Sequence, residues 1–261
     1  MKLQLEGKTA VVAAASKGLG RAIAERLAEE GCRLLMCSSD GEAIRSAAED
    51  IRRKYGVEAE GEAVDLADKE QIAAWIERIR SRTDHIDALV CNAGGPPSGR
   101  FLELDDEQWE QAIRLNLLSV VRLLRGFYPL MKARGARVVA IASTSVKVPI
   151  PGLVLSNALR TGVNGLIKTL SQEWGPDGIL LNTVCPGRIM TDRLDELDRA
   201  AAQREGKTVE EIRAQHMAQI PLGRYGEPHE LADLSVFLLS PRNTYLTGST
   251  FLVDGGMVKA L

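Results

Sequence analysis

The chain has 261 residues, 45% apolar and 26% charged, with a formal net charge of −2 and a pI near 6.0. That length and apolar share suffice for one large core in a single α/β domain. The near-neutral charge supplies no sequence-wide positive field for nucleic acid or an anionic membrane, so a small molecule is the expected partner.

The predicted elements alternate. An apolar, β-branched run at 9–14 leads to an amphipathic stretch at 20–30, a second run at 33–37 to 40–55, and a third at 58–64 to 69–82. Further along, 88–91 precedes a long helical pattern at 107–133, 137–142 precedes 156–174, and 179–184 precedes 228–239, before a last run at 249–253. Parallel neighbours need right-handed crossovers, so this order specifies a seven-stranded parallel sheet with helices on both faces. The fold class expected is therefore a single-domain, doubly wound Rossmann fold, with ligands beyond the carboxyl ends of the strands. One stretch, 192–219, breaks the rhythm. It is charged and helical in pattern, and is expected to be a lid over the substrate; the plainer alternative is a solvated helical excursion.

Cys32, Cys37, Cys91 and Cys185 lack paired metal-ligand spacing, and His85, His216 and His229 are scattered, so neither a metal nor a disulfide is expected. No run approaches the roughly 20 apolar residues of a membrane helix, and MKLQLEGKTAVV holds no signal-peptide core. A cytoplasmic protein is the expectation.

Directly after the first strand stands Ala13-Ala14-Ala15-Ser16-Lys17-Gly18-Leu19-Gly20, followed by an amphipathic helix. A Gly-rich turn of this kind brings backbone amides to a pyrophosphate at a helix N-terminus, which makes Ala14, Ser16, Lys17, Gly18, Leu19 and Gly20 candidate nucleotide contacts. After the second strand, Ser38 and Ser39 occupy the place where an acid would accept from a ribose 2′-hydroxyl. Together with Lys17 they favour NADP, while Asp40 keeps NAD possible.

Asp65-Leu66, Asn92-Ala93-Gly94-Gly95, Asn116, Ser143-Thr144-Ser145, Pro186-Gly187-Arg188-Ile189-Met190-Thr191 and Val253-Asp254-Gly255-Gly256 follow in order. With the Gly-rich turn, they resemble the short-chain dehydrogenase/reductase family, 3-oxoacyl-[acyl-carrier-protein] reductases among them, over nearly the whole chain. The resemblance implies adenine contacts from Asp65 and Leu66, cofactor contacts from Asn92, Ala93 and Gly94, and nicotinamide contacts from Pro186, Gly187, Ile189 and Thr191. It implies that Ser143 orients a carbonyl, that Asn116 holds a proton-relay water, and that the protein is a homotetramer. In the turn, Ala14 replaces the family's first Gly, which is tolerated at negative φ and not readily at positive φ.

The departure lies at the family's Tyr and Lys, where this chain has Ser156 and Arg160. Arg160 replaces Lys as a fixed cation and ribose anchor but does not readily relay a proton, and Ser156 is shorter and far less acidic than a phenol. Two substitutes for the missing acid are a water chain through Ser156 and Asn116, and Lys147 with its pKa lowered by desolvation. Lys147, Arg160 and Arg188 together would favour an anionic substrate. The leading expectation is an NADP-dependent carbonyl or alcohol oxidoreductase with an altered proton donor. The alternatives are a non-catalytic nucleotide-binding homologue and, less favoured given Gly18 and Gly20, a lyase-type reaction on this scaffold.

Overall fold

Each apolar run is separated from the next by a segment long enough to cross back over the sheet, so the strands pair in parallel. The computed structural model of the chain describes residues 2–260. The strands are β1 (Thr9–Val12), β2 (Arg33–Ser38), β3 (Ala59–Ala63), β4 (Ala88–Cys91), β5 (Ala136–Ile141), β6 (Ile179–Pro186) and β7 (Thr250–Val253). They form one sheet in the order β3-β2-β1-β4-β5-β6-β7, with Val11 opposite both Leu35 and Leu89. The strand order reverses between β1 and β4, and a crevice opens there at the carboxyl ends.

Alternate residues of each strand enter opposite layers. Val12, Val90 and Val139 pack with Ile23 and Leu27 of α1 (Gly18–Glu29), Ile44 of α2 (Gly41–Tyr55) and Val236 of α9 (Pro228–Leu239). On the other face Val11, Leu89 and Val138 pack with Trp75 of α3 (Lys69–Arg80), Phe127 of α5 (Ser119–Lys132) and Ile167 of α6 (Val154–Glu173). The single Rossmann domain and its seven parallel strands agree with the expectation. All four cysteines are buried and free; burial pushes the thiols of Cys32, Cys37 and Cys91 up to about 12. Among the described residues no group of His, Cys, Asp or Glu is placed to hold a metal, and no helix is long and apolar enough to cross a membrane.

The pattern expected as one helix over 107–133 is interrupted. It consists of α4 (Asp106–Ile113), a π-helical turn at Arg114–Leu118, and α5. The turn accommodates its extra residue without breaking the helix, and it carries Asn116 at its centre.

The 192–219 stretch folds as α7 (Asp192–Glu205), closed by Gly206 at φ 64°, and α8 (Val209–Met217), opened by a reciprocal Thr208–Glu211 capping box. Its interior combines two small apolar clusters, Ala201, Ala202 and Ile212 in one and Leu194, Ile220 and Tyr225 in the other, with a polar one. Asp198 of α7 is fully buried and accepts from Arg188 Nη1 at 3.2 Å, His216 Nδ1 at 3.1 Å and Tyr225 Oη at 3.0 Å, with Arg213 Nε 3.6 Å away. Burial, then Arg188, holds the His216 imidazole below its ordinary range against the opposing pull of Asp198 and Glu205.

A base whose folded pKa is lowered contributes stability that is complete above its unfolded pKa, here about 6.5, and lost as pH falls through the folded value. Protonated His216 would be a third cation beside Arg188 and Arg213 around one carboxylate. Hydrogen-exchange protection of 192–219 should therefore fall as pH is lowered from 6.5, and fall less in His216→Gln. An equal loss in both proteins would contradict this assignment.

Candidate active site

The turn after β1 is shaped by three close approaches. Gly20 cannot carry a side chain, because its Cβ would lie 2.2 Å from the Ala14 carbonyl oxygen and 2.7 Å from Asn92 Nδ2. That Asn92 amide, on the loop after β4, donates to Ala14 O at 3.2 Å and ties the two strand ends across the crevice. Gly18 opens α1 at φ 59°, a left-handed conformation suited to glycine. Lys17 is the N-cap position of α1 and is exposed; Ser16 Oγ lies 2.9 Å from Ser38 Oγ, and Leu19 packs into the core. Ala14 has φ 50°, so the substitution falls in the conformation where Ala is strained, not in the negative-φ case that tolerates it.

The site floor is organised by Arg160. It is buried, donates from Nη1 to Ile141 O at 2.7 Å and from Nη2 to Ala93 O at 3.4 Å, and so bridges the ends of β5 and β4. Burial pushes its pKa down to about 10, which leaves it charged at neutral pH. Ser156 is half-buried one helical turn earlier on the same face of α6, over the end of β5. Ser143 lies two residues beyond Ile141. Its Oγ accepts from Ser145 N–H at 3.1 Å, so its own proton remains free for another acceptor. Asn116 is fully buried, with neither Oδ1 nor Nδ2 hydrogen-bonded, on the π-helical turn that packs against α6. A buried amide with both polar atoms unpaired is a site for an ordered water. Cys185 lies close enough to Ser143 and Arg160 to feel both, but burial holds its thiol up at about 11.

Lys147 is exposed on the turn after Ser143, so the desolvation required for an acidic lysine is missing. The expected cationic pocket is also corrected. Arg188 points into the insertion and is neutralised by Asp198, while Arg160 is spent on two backbone carbonyls. The cation that does reach the crevice is Arg193, at the start of α7. It donates to Pro96 O at 2.6 Å beside Gly95 and contributes to lowering the Arg160 pKa. Sequence reasoning missed it, because a bond between residues 97 apart has no local signature.

The loop after β6 carries the remaining candidates. Gly187 admits no Cβ, which would meet Asp254 Cβ at 2.6 Å, and its N–H donates to Val253 O, anchoring the loop beyond Pro186 to β7. Ile189 is buried and bridges to Gly226. Thr191 caps α7 by accepting from Leu194 N–H, and its methyl faces Gly18. Beside it, Asp192 pairs with Lys17 at 3.2 Å, an exposed contact across the crevice.

At the far end of the crevice, Ser38 ends β2, and Ser39 is exposed. Asp40, expected as the alternative ribose acceptor, has a structural role as well. Its carboxylate is the N-cap of α2, accepting from Glu42 N–H at 3.1 Å and Ala43 N–H at 2.9 Å. Asp65 accepts from Ala67 N–H on an exposed turn, and the Leu66 side chain is buried in the core, which leaves its backbone for contact. Gly94 is exposed at the crevice, and Ala93 is buried above Arg160.

Relief of the strain at Ala14 is measurable. Left-handed Ala costs about 1–2 kcal/mol, and the added chain entropy of Gly offsets about 0.4–1 kcal/mol of the gain. Ala14→Gly should therefore raise stability by roughly 0.5–1 kcal/mol in chemical denaturation; a clear loss would show that the turn is unstrained.

Comparison with known proteins agrees with this geometry. The family model described as enoyl-(acyl carrier protein) reductase matches residues 13–258. The 3-oxoacyl-[acyl-carrier-protein] reductase of Aquifex aeolicus is 35% identical over 258 residues, covering 98% of this chain and 100% of that protein. Its Escherichia coli counterpart is 34% identical over 256 residues, with 98% and 99% covered. The structure of L-sorbose reductase from Gluconobacter frateurii, complexed with NADPH and L-sorbose, superposes with a TM-score of 0.94 at 33% identity, with 100% of both chains covered. The chain belongs to the short-chain dehydrogenase/reductase family.

Proposed function

We propose that the chain is an NADP-dependent oxidoreductase that interconverts a carbonyl and an alcohol, with a proton route that uses no phenol. The observation that carries this reading is the coexistence of an intact dinucleotide crevice with a floor that keeps Ser143, Asn116 and a fixed cation but replaces the acid. The crevice fits the cofactor: Gly18 and Gly20 let backbone approach a pyrophosphate at the α1 N-terminus, and Ile189 and Thr191 border the nicotinamide end. NADP is favoured over NAD because Ser38 and Ser39, not an acid, end and follow β2, with Ser16 and Lys17 beside them to receive a 2′-phosphate, while Asp40 lies one residue further on and caps α2 through Oδ1. The related L-sorbose reductase is an NADPH complex, in keeping with that choice.

When bound, the cofactor supplies or accepts the hydride. Ser143 directs its free O–H to the substrate oxygen. Arg160 keeps a positive charge beneath that oxygen and turns its remaining N–H groups toward the ribose. In alcohol oxidation Ser156 Oγ takes the substrate hydroxyl proton as its own proton passes to a water held by the unpaired amide of Asn116 and on to solvent; in carbonyl reduction the same chain runs in reverse and delivers a proton to the substrate oxygen. Lys147 acts at most as a surface cation. Arg193 is paired with Glu196 and the Pro96 carbonyl, so these cations do not select an anionic substrate, and α7 and α8 serve as the lid. We also expect a homotetramer. The apolar groove of Val121, Leu124, Leu166, Leu170 and Trp174 between α5 and α6, flanked by Arg125 and Glu173, supplies a self-complementary face.

The test is NADPH oxidation, and NADP reduction in reverse, over a panel of aldehydes, ketones and keto acids. Turnover should appear, fall by about 10²-fold in Ser156→Ala and change little in Lys147→Ala. Saturable NADPH binding without turnover on the whole panel would instead favour the non-catalytic reading. Ser156→Tyr should raise kcat, since it returns an acid to a site that is otherwise assembled; an inactive, folded variant would show that the floor has been rebuilt.

A further inference from the structure

Asp198 is the only buried acidic side chain among the described residues, and nothing in the proposed reaction uses it. Its partners reach Asp198, on α7, from three other segments: Arg188 from the loop after β6, His216 and Arg213 from α8, and Tyr225 from the segment before α9. Such a cluster is weak evidence for stability, because the desolvation of buried charges consumes most of what their attraction returns. Its value is geometric. A carboxylate bonded on both oxygens fixes the direction of every donor around it.

The donor that matters is Arg188. It sits between Gly187 and Ile189, within the segment that borders the nicotinamide end of the crevice, and its backbone is held as well as its side chain. Arg188 O accepts from Gly226 N–H at 2.9 Å, and Met190 N–H donates to Gly226 O at 2.8 Å. At the far end of the same segment, Thr191 caps α7, the helix that carries Asp198. The Arg188–Asp198 bond, between residues 10 apart in sequence, therefore closes a ring through Ile189, Met190, Thr191 and the first turns of α7. Within that ring the backbone of 189–191 has no independent freedom. Opening the bond removes one restraint on it, beside the two Gly226 bonds, and leaves Ser38 on another strand untouched; the segment meets the Gly-rich turn only through the Thr191 methyl at Gly18 and the exposed Asp192–Lys17 pair, a contact of little energetic weight.

We propose that Asp198 is a positioning residue for the nicotinamide half of the crevice: by holding Arg188 it sets the backbone of Ile189, Met190 and Thr191 against that half of the cofactor. This rests on the reading of the crevice as an NADP site. It makes the order of the insertion and the grip on the nicotinamide one equilibrium, while the adenosine phosphate end stays independent.

The experiment compares two ligands by calorimetry on the whole chain: NADPH, which spans the crevice, and 2′,5′-ADP, which occupies the adenosine end alone. Asp198→Asn keeps the shape and loses the charge. Arg188→Met loses the other partner, and its 23% side-chain exposure makes it the milder change to the fold. Each should weaken NADPH by roughly tenfold and leave 2′,5′-ADP within about twofold of the wild type, and the double variant should be no weaker than either single, because both remove the same contact. Should Asp198→Asn fail to fold, Arg188→Met alone carries the comparison. Equal weakening of both ligands, unchanged NADPH binding, or additive losses in the double variant would overturn the proposal while leaving the cofactor reading intact. A wild type that binds 2′,5′-ADP as tightly as NADPH would also overturn the proposal, whereas a wild type that binds neither ligand would overturn the cofactor reading, and this inference with it.

Discussion

A guanidinium sealed from water beneath the ends of two central strands is the constraint around which the site is arranged. Arg160 has no carboxylate within ion-pair distance among the described residues, and its charge is met by the carbonyls of Ile141 and Ala93. Removing such a charge from water costs several kcal/mol, and hydrogen bonds to a charged group return about 1.5–3 kcal/mol each, so both carbonyls are needed for it to remain. The consequence is positional. β4 and β5 are locked at the same height, Ser143 emerges two residues beyond one of those carbonyls, and Ser156 stands a turn away on the same helix. A lysine with a flexible stem would hold none of this as firmly, and it would offer a titratable proton that arginine withholds.

The second organising feature is the knot formed by Ala14, Gly20 and Asn92. The Ala14 carbonyl is closely approached by Gly20 and bonded by the Asn92 amide beside it, and the left-handed Ala14 backbone is the strained member. Strain at a ligand turn persists when its surroundings over-determine it, and here two chain segments do so. Above the knot, the start of α7 crosses the crevice with one contact on each bank, Asp192 to Lys17 and Arg193 to Pro96. The crevice is thus built from strand ends below and roofed by an insertion whose small apolar clusters flank a buried carboxylate.

Much of this was legible in the amino-acid sequence, and the limits have physical causes. The strands were readable because each apolar run is short and bounded, and the nucleotide turn because glycines between a strand and a helix admit few other conformations. The proposed replacement of a Tyr and a Lys rests on the sequence spacing of Ser143, Ser156 and Arg160. What escaped was long-range or rotational. The π-helical turn around Asn116 shifts an apolar stripe by one residue, too little to disturb the pattern of 107–133. Arg188 reads as a pocket cation until α7 folds back and brings Asp198 to it. Asp40 reads as a ribose acceptor, although an acid just before a helix is at least as well suited to capping, which is where its carboxylate goes. Lys147 needed burial to serve as an acid, and burial is decided by the packing of elements distant in sequence.

The central claim is that cofactor placement persists while the proton donor has changed, with Arg160 as brace and not as acid. A crystal structure of the chain with NADP and a turned-over alcohol tests it most directly. The account predicts that Arg160 keeps its bond to the Ile141 carbonyl, that Ser143 is the hydroxyl on the substrate oxygen, and that an ordered water joins Ser156 to Asn116. Arg160 swung away from the strand ends, with another ionisable side chain bonded to the substrate oxygen in its place, would contradict it.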